Sequence, residues 1–171
     1  MPTFRVTKKL ATALKVKLSK DRPADVNLEH EWFADLFHVE RKKCVIWVHR
    51  TTLLTFVRPA VTAAELREHA ALFRYEYFTT QASLALPETL LMRFDVGGED
   101  LYAATADRGV VGSMLDYRKM FEIMVHLDGG LHHADVRGVN AQLNQSPMSR
   151  LGLDSALRRI RKIAPDLRVV H

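Results

Sequence analysis

Residues 31–57 read EWFADLFHVERKKCVIWVHRTTLLTFV, and the run Cys44-Val45-Ile46-Trp47-Val48 at their centre is unbroken in apolar character. Side chains alternate along a strand, so Cys44, Ile46 and Val48 share one face and Val45 and Trp47 the other. Both faces are apolar, so both must be covered. The run is too short for a typical helix and rich in β-branched residues, which selects a strand. Trp32 to Val39 makes a flanking strand, with Ala34 and Leu36 on the face of Trp32. The charged quartet Glu40-Arg41-Lys42-Lys43 is expected to turn the chain. His49 to Thr52 is expected to turn it again into a third strand, Leu53 to Val57. Pro59 ends that strand because it has no N–H to donate to the ladder. The expected product is an antiparallel meander with a buried central strand.

Around this meander, Thr3–Val6 reads as a short strand and Thr7 as the cap of a helix over Lys8–Leu14. Val16-Lys17-Leu18 alternates as a brief extended segment, and 20–23 is a polar loop. Thr62-Ala63-Ala64-Glu65 is a capping box for a helix reaching about Gln81, with Leu66, Ala70, Phe73 and Tyr77 at helical spacing. Thr89–Val96 is read as a strand and 97–100 as a turn. Leu101–Thr105 and Gly109–Gly112 are read as two short strands, joined through Ala106-Asp107-Arg108. Ser113 is expected to cap a second helix with Asp116 in the acidic place and Tyr117, Met120, Phe121 and Met124 buried. A weaker helix runs from Asp135 to about Leu143, and a last one from near Asp154 to before Pro165. Strands and helices mix without regular alternation, so the expected class is α+β: a central antiparallel sheet packed with three or four helices, in a single domain over residues 1–171.

Three segments together resemble a bacterial family known only as a domain of unknown function. They are Trp32-x-Ala34-x-Leu36 followed by Arg41-x-x-Cys44; Thr105-x-x-Arg108-x-Val110-Val111-Gly112-Ser113-Met114-x-Asp116; and Leu143-Asn144-x-x-Pro147-Met148-Ser149-x-Leu151-Gly152. The likeness runs from about residue 3 to residue 163. Members often carry Asn before the acidic residue that follows Ser-Met, where this chain has Leu115. The resemblance implies one intracellular domain and no particular activity.

Charge is unevenly placed. The net charge of +5 combines basic ends with an acidic middle: residues 1–22 hold seven Lys/Arg against one Asp, and residues 148–171 six against two. No apolar run approaches the roughly 20 residues that span a bilayer, the amino terminus is too broken by lysine for a signal peptide, and one cysteine forms no internal disulfide. These features point to the cytoplasm. The first functional expectation is a non-enzymatic module binding nucleic acid or another polyanion. Lys8, Lys9, Lys15 and Lys17 would act from one end, and Arg158, Arg159, Arg161 and Lys162 from the other, converging on one face. The plainer reading of those charges is solvated surface.

The second expectation is a metal-dependent hydrolase or nuclease. Its candidates are Arg108, Ser113 and Asp116 at a strand-to-helix turn, where free N–H groups can hold an anion, and Asp25, Glu40 and Lys42 in a loose acid … Glu-x-Lys pattern. His126, Asp128, His132, His133 and Asp135 have metal-ligand chemistry but no zinc spacing. His38 and His49 flank the first hairpin and are a candidate acid–base pair. Each has a structural counterpart: capping, ion pairing, a turn, or hydrogen-bonded rim histidines. No cofactor is implied. The third expectation is a protein-interaction component of a defence or toxin–antitoxin operon, for which an exposed apolar patch would be the sign.

Overall fold

The computed structural model describes residues 2–19, 27–94, 96 and 100–163. The loop at 20–23, Asp25, the turn at 97–99 and Pro165 lie outside them. The meander forms as its alternation requires. After β1 (Thr3–Val6) and α1 (Lys8–Leu14), β2 (Glu31–Val39) pairs antiparallel with β3 (Lys42–His49), which pairs antiparallel with β4 (Thr55–Arg58). Trp32 lies opposite His49 and Val39 opposite Lys42. That register leaves Glu40 and Arg41 alone as the turn, both at positive φ (48° and 63°). A two-residue turn of this hand matches strand twist, so Lys42 and Lys43, expected in the turn, belong to β3.

The remaining helices and strands follow as α2 (Ala63–Arg67), α3 (His69–Ser83), α4 (Thr89–Arg93), β5 (Leu101–Ala104), α5 (Arg108–Leu127), α6 (Val136–Gln145), β6 (Pro147–Met148), β7 (Asp154–Ser155) and α7 (Ala156–Ile163). The main sheet has five strands in the order β4-β3-β2-β1-β5. It is mixed: β1 runs parallel to both β2 and β5. Four helices, α3, α5, α6 and α7, have eight residues or more, and the class is α+β.

The alternating faces of the central strands each acquire a core. Trp32, Ala34, Leu36, Val45 and Trp47 pack with residues of α1 to α4 and α7, including Leu10, Phe73, Tyr77, Leu90 and Ile160. Phe33, Phe37, Cys44, Ile46 and Val48 pack on the other side with Val110, Met114, Tyr117 and Phe121 of α5 and Val139 and Leu143 of α6. The sheet is thus sandwiched between two helical layers. Cys44 is fully buried, and burial pushes its thiol up. It packs as a small apolar residue.

Three readings from the sequence are corrected here. Thr89–Val96 contains a helix, not a strand: Leu90 and Phe94 lie four residues apart, both buried, and Phe94 N–H donates to Leu90 O at 2.9 Å. A short apolar run does not discriminate the two by periodicity. Gly109–Gly112 is the first turn of α5, not a strand. Asp107 caps that helix, its Oδ1 accepting from Gly109 N (3.0 Å) and Val110 N (3.1 Å). Ser113 therefore caps nothing; its hydroxyl donates back to Gly109 O at 3.1 Å. The helix beginning after Thr62 does have its capping box. It breaks at Glu68, and α3 resumes at His69, whose buried ring receives the Trp47 indole N–H at 3.1 Å.

Backbone groups of both outer strands find partners beyond the sheet. β4 is closed by α6: Asn144 Oδ1 accepts from Thr55 N (2.9 Å) and its Nδ2 donates to Thr55 O (2.6 Å), while Asn140 makes the same pair with Val57 N (2.9 Å) and O (3.1 Å). Two side-chain amides stand where a further strand would pair, which blocks edge-to-edge association. On β5, Ser19 N–H donates to Tyr102 O at 2.9 Å.

Candidate anion-binding site

At the start of β2 the sheet ends in buried charge. Glu31 is fully buried, and its Oε1 accepts from Arg5 Nε (3.0 Å) and Arg5 Nη2 (2.6 Å). Its other oxygen accepts from Arg50, which follows β3 directly. Arg50 also reaches Asp107 Oδ2 (3.4 Å), and Arg150, from the short 3₁₀ turn after β6, donates to the same oxygen at 2.9 Å. Gly109 has no side chain, and the Arg150 guanidinium occupies the space a Cβ would take. Burial works to raise the Asp107 carboxyl. The Val110 N–H, Arg150, Arg50 and the Gly109 N–H overcome that and hold it below the usual carboxylate range.

Arg50, Asp107 and Arg150 of this chain of charges form one wall of an open hollow of about 500 Å³, which Leu28, Thr51, Leu151 and Arg159 complete. Arg159, on α7, is exposed and has no hydrogen bond or ion pair with any described residue. The lining therefore presents three guanidiniums against one carboxylate already shared by two of them. Such a surface favours an anion, above all phosphate, which guanidinium groups meet in a two-pronged geometry.

The cationic residues expected from the sequence do not all gather here. Arg158, Arg159 and Arg161 are exposed on α7, whereas Lys162 is held by Asp154 Oδ2. Lys8 and Lys9 lie at the opposite end of β2, where Lys9 Nζ is 3.4 Å from His38 Nδ1. The seven residue-to-residue steps from Glu31 to His38 span about 23 Å of strand, so the two basic ends do not converge through those lysines. Lys17 lies beside Leu101 and Tyr102 at the start of β5, and Lys15 ends α1 with φ 57°.

The catalytic candidates are dispersed. Arg108, Ser113 and Asp116 lie along one helix rather than at a strand-to-helix turn, with Arg108 and Asp116 exposed and Ser113 buried. Both oxygens of Glu40 accept from Leu131 N (3.2 and 3.3 Å), which ties the first hairpin to the end of α5. Asp116 is fourteen residues from Gly130, which Glu40 touches; at 1.5 Å per residue over the helix the two carboxylates are on the order of 20 Å apart. His126, His132, His133 and Asp135 build no centre: among the described residues no group of three His, Cys, Asp or Glu gathers to hold a metal.

His38 and His49 do not face each other. His38 is opposite Lys43 and exposed; His49 is opposite Trp32 and fully buried. His49 Nε2 donates to Glu29 O (2.8 Å) and its Nδ1 accepts from Thr52 Oγ1 (2.8 Å). Burial lowers its pKa to about 4. It is a neutral core residue.

The arginine hollow was missed as a unit by the sequence reading. Arg159 was singled out, but Arg50, Arg150 and Asp107 come from separate segments with no local signal linking them. Among the described residues no helix is long and apolar enough to cross a membrane. The chain matches the domain of unknown function DUF6933 over residues 3–156, and it belongs to that family. A search of curated proteins finds no match.

Proposed function

We propose that this domain is a non-enzymatic binding module for nucleic acid, taking backbone phosphate in the hollow between the start of α5 and α7. The observation that carries this reading is the convergence of Arg50, Arg150 and Arg159 on one surface whose acid, Asp107, is already shared by two of them. Arg158 and Arg161, exposed on the same short helix as Arg159, extend the charge beyond the hollow. The domain's binding is to phosphate and is therefore governed by counterion release.

The test is a fluorescence-anisotropy titration with short duplex DNA, single-stranded DNA and RNA across a range of salt, with and without Mg²⁺. If Arg150, Arg158, Arg159 and Arg161 each neutralise one phosphate, log K falls with log salt at a slope of about −3.6 on duplex DNA, and each Arg→Ala change removes about 0.9 from it. Lys8→Ala with Lys9→Ala leaves the slope unchanged. Absence of binding at low salt, or binding indifferent to salt, defeats the proposal. Strand cleavage with Mg²⁺ would instead reinstate the hydrolase reading.

A further inference from the structure

A cleft of about 200 Å³ lies between α3 and α6 at the end of β4, and it shares no lining residue with the arginine hollow. Its volume is below the roughly 300–1,000 Å³ of clefts that hold drug-sized ligands, and it admits a molecule of leucine size.

Three of its polar groups are unspent. Glu76 is only 6% exposed; its Oε1 accepts from Arg58 Nη1 at 3.2 Å, while Oε2 has no hydrogen-bond partner among the described residues. Thr80 is 4% exposed, and its hydroxyl has no partner either. Arg137, on α6, is exposed, forms no ion pair or hydrogen bond with any described residue, and stands near enough for its charge to act on Glu76. Arg58 pairs with Glu65 and Glu76 through its two Nη atoms, while its buried Nε has no partner among the described residues. Pro59, Leu84, Val136 and Ala141 make the apolar part of the lining. Glu76 Oε2 and the Thr80 hydroxyl belong to residues more than nine-tenths buried, meet no partner among the described residues and stay open to the cleft, so an occupant can take up their hydrogen-bonding capacity.

We infer that this cleft binds a free α-amino acid with a short aliphatic side chain. Its ammonium donates to Glu76 Oε2 and Thr80 Oγ1, its carboxylate meets Arg137, and its side chain lies against the apolar lining. Hydrogen bonds to charged groups are among the stronger ones, so losing either end of the zwitterion weakens binding by about tenfold or more.

Isothermal titration calorimetry with L-leucine tests this on the whole chain. Glu76→Gln keeps the side-chain volume and Arg137→Ala alters an exposed residue; each is expected to raise the Kd for L-leucine at least tenfold, while Arg159→Ala leaves it unchanged. On the unaltered protein, 3-methylbutylamine and 4-methylpentanoate, which each lack one end of leucine, are expected to bind at least tenfold more weakly. That arm does not depend on any variant folding. No binding of L-leucine at millimolar concentration overturns the inference. So does binding that both variants retain, or 4-methylpentanoate binding as tightly as leucine.

Discussion

Asn144→Ala is the sharpest test of how this fold closes its sheet. Thr55 and Val57 are fully buried on the outer strand β4, and their outward backbone groups are met by two side-chain amides of α6. Asn144 makes three bonds: Thr55 N (2.9 Å), Thr55 O (2.6 Å) and Asn140 O (2.8 Å). Alanine leaves the Thr55 N–H and C=O unpaired under a packed helix, at about 1–3 kcal/mol each. Against this, alanine's better helix propensity returns roughly 0.5 kcal/mol. The expected net loss is about 2–5 kcal/mol, a large share of the 5–15 kcal/mol that stabilises an ordinary domain. Urea unfolding followed by the fluorescence of Trp32 and Trp47, both fully buried, measures it directly. Asn144→Asp should be worse than alanine at neutral pH, because it sets a buried charge against Thr55 O. Asn140→Ala combined with Asn144→Ala should be non-additive, since the two amides clamp one strand. A loss below about 1 kcal/mol for Asn144→Ala would show that water or neighbouring groups meet Thr55 as well as the amide does, and the clamp argument would fail.

Three further outcomes follow from buried charge, burial of histidine and backbone geometry. Glu31→Gln leaves Arg5 and Arg50 facing a neutral group inside the protein and should cost about 3–5 kcal/mol by chemical denaturation; a change within error would mean the two guanidiniums rehydrate freely. His49 and His69 are neutral in the core, with burial lowering their pKa to about 4 and about 3. The unfolded chain takes up protons near pH 6.5 and the folded one does not, so stability is undiminished above that pH and falls as the medium acidifies. Each histidine withdraws about 2 kcal/mol by pH 5. His69→Gln should flatten that part of the stability–pH curve, and an unchanged slope would contradict the assignment. Gly130 sits at φ +104°, with Glu40 Oε1 2.6 Å from where a Cβ would stand. Gly130→Ala should therefore cost about 1–3 kcal/mol, read as a lowered Tm.

The meander was legible because its information is local. The alternation over Trp32–Val39 and Cys44–Val48 states which side chains share a face, and the structure buries both sets on opposite sides of the sheet. The caps at Thr7 and Thr62 were equally local, each a hydroxyl placed to accept from an amide three residues on. Gly109–Gly112 was misread for a physical reason. Val110-Val111 between two glycines has strand composition, yet Asp107 just upstream offers its carboxylate to two orphan amides and starts a helix instead. An aspartate three residues before the first apolar position, Val110, is the available signal.

What the sequence does not display is which charges and amides are spent on one another, because those partners are set by tertiary contact. Arg5 belongs to the basic amino-terminal segment by count, but it is 5% exposed and bound to Glu31. Lys162 sits in the basic last helix but is held by Asp154. Summing charge along the chain therefore overstates the field at both ends. The cations that remain available are those whose neighbours leave them so, and Arg159 next to an already shared Asp107 is one such case. The same logic hides the β4 clamp. Asn140 and Asn144 at helical i, i+4 spacing read as ordinary polar positions, although they bond to backbone 83 and 89 residues away. A pair of amides one turn apart on a helix, beside a buried Val139 and Leu143, carries a physical hint nonetheless. Polar groups on the inward face of a packed helix need partners there, and the unpaired backbone of an outer strand supplies them.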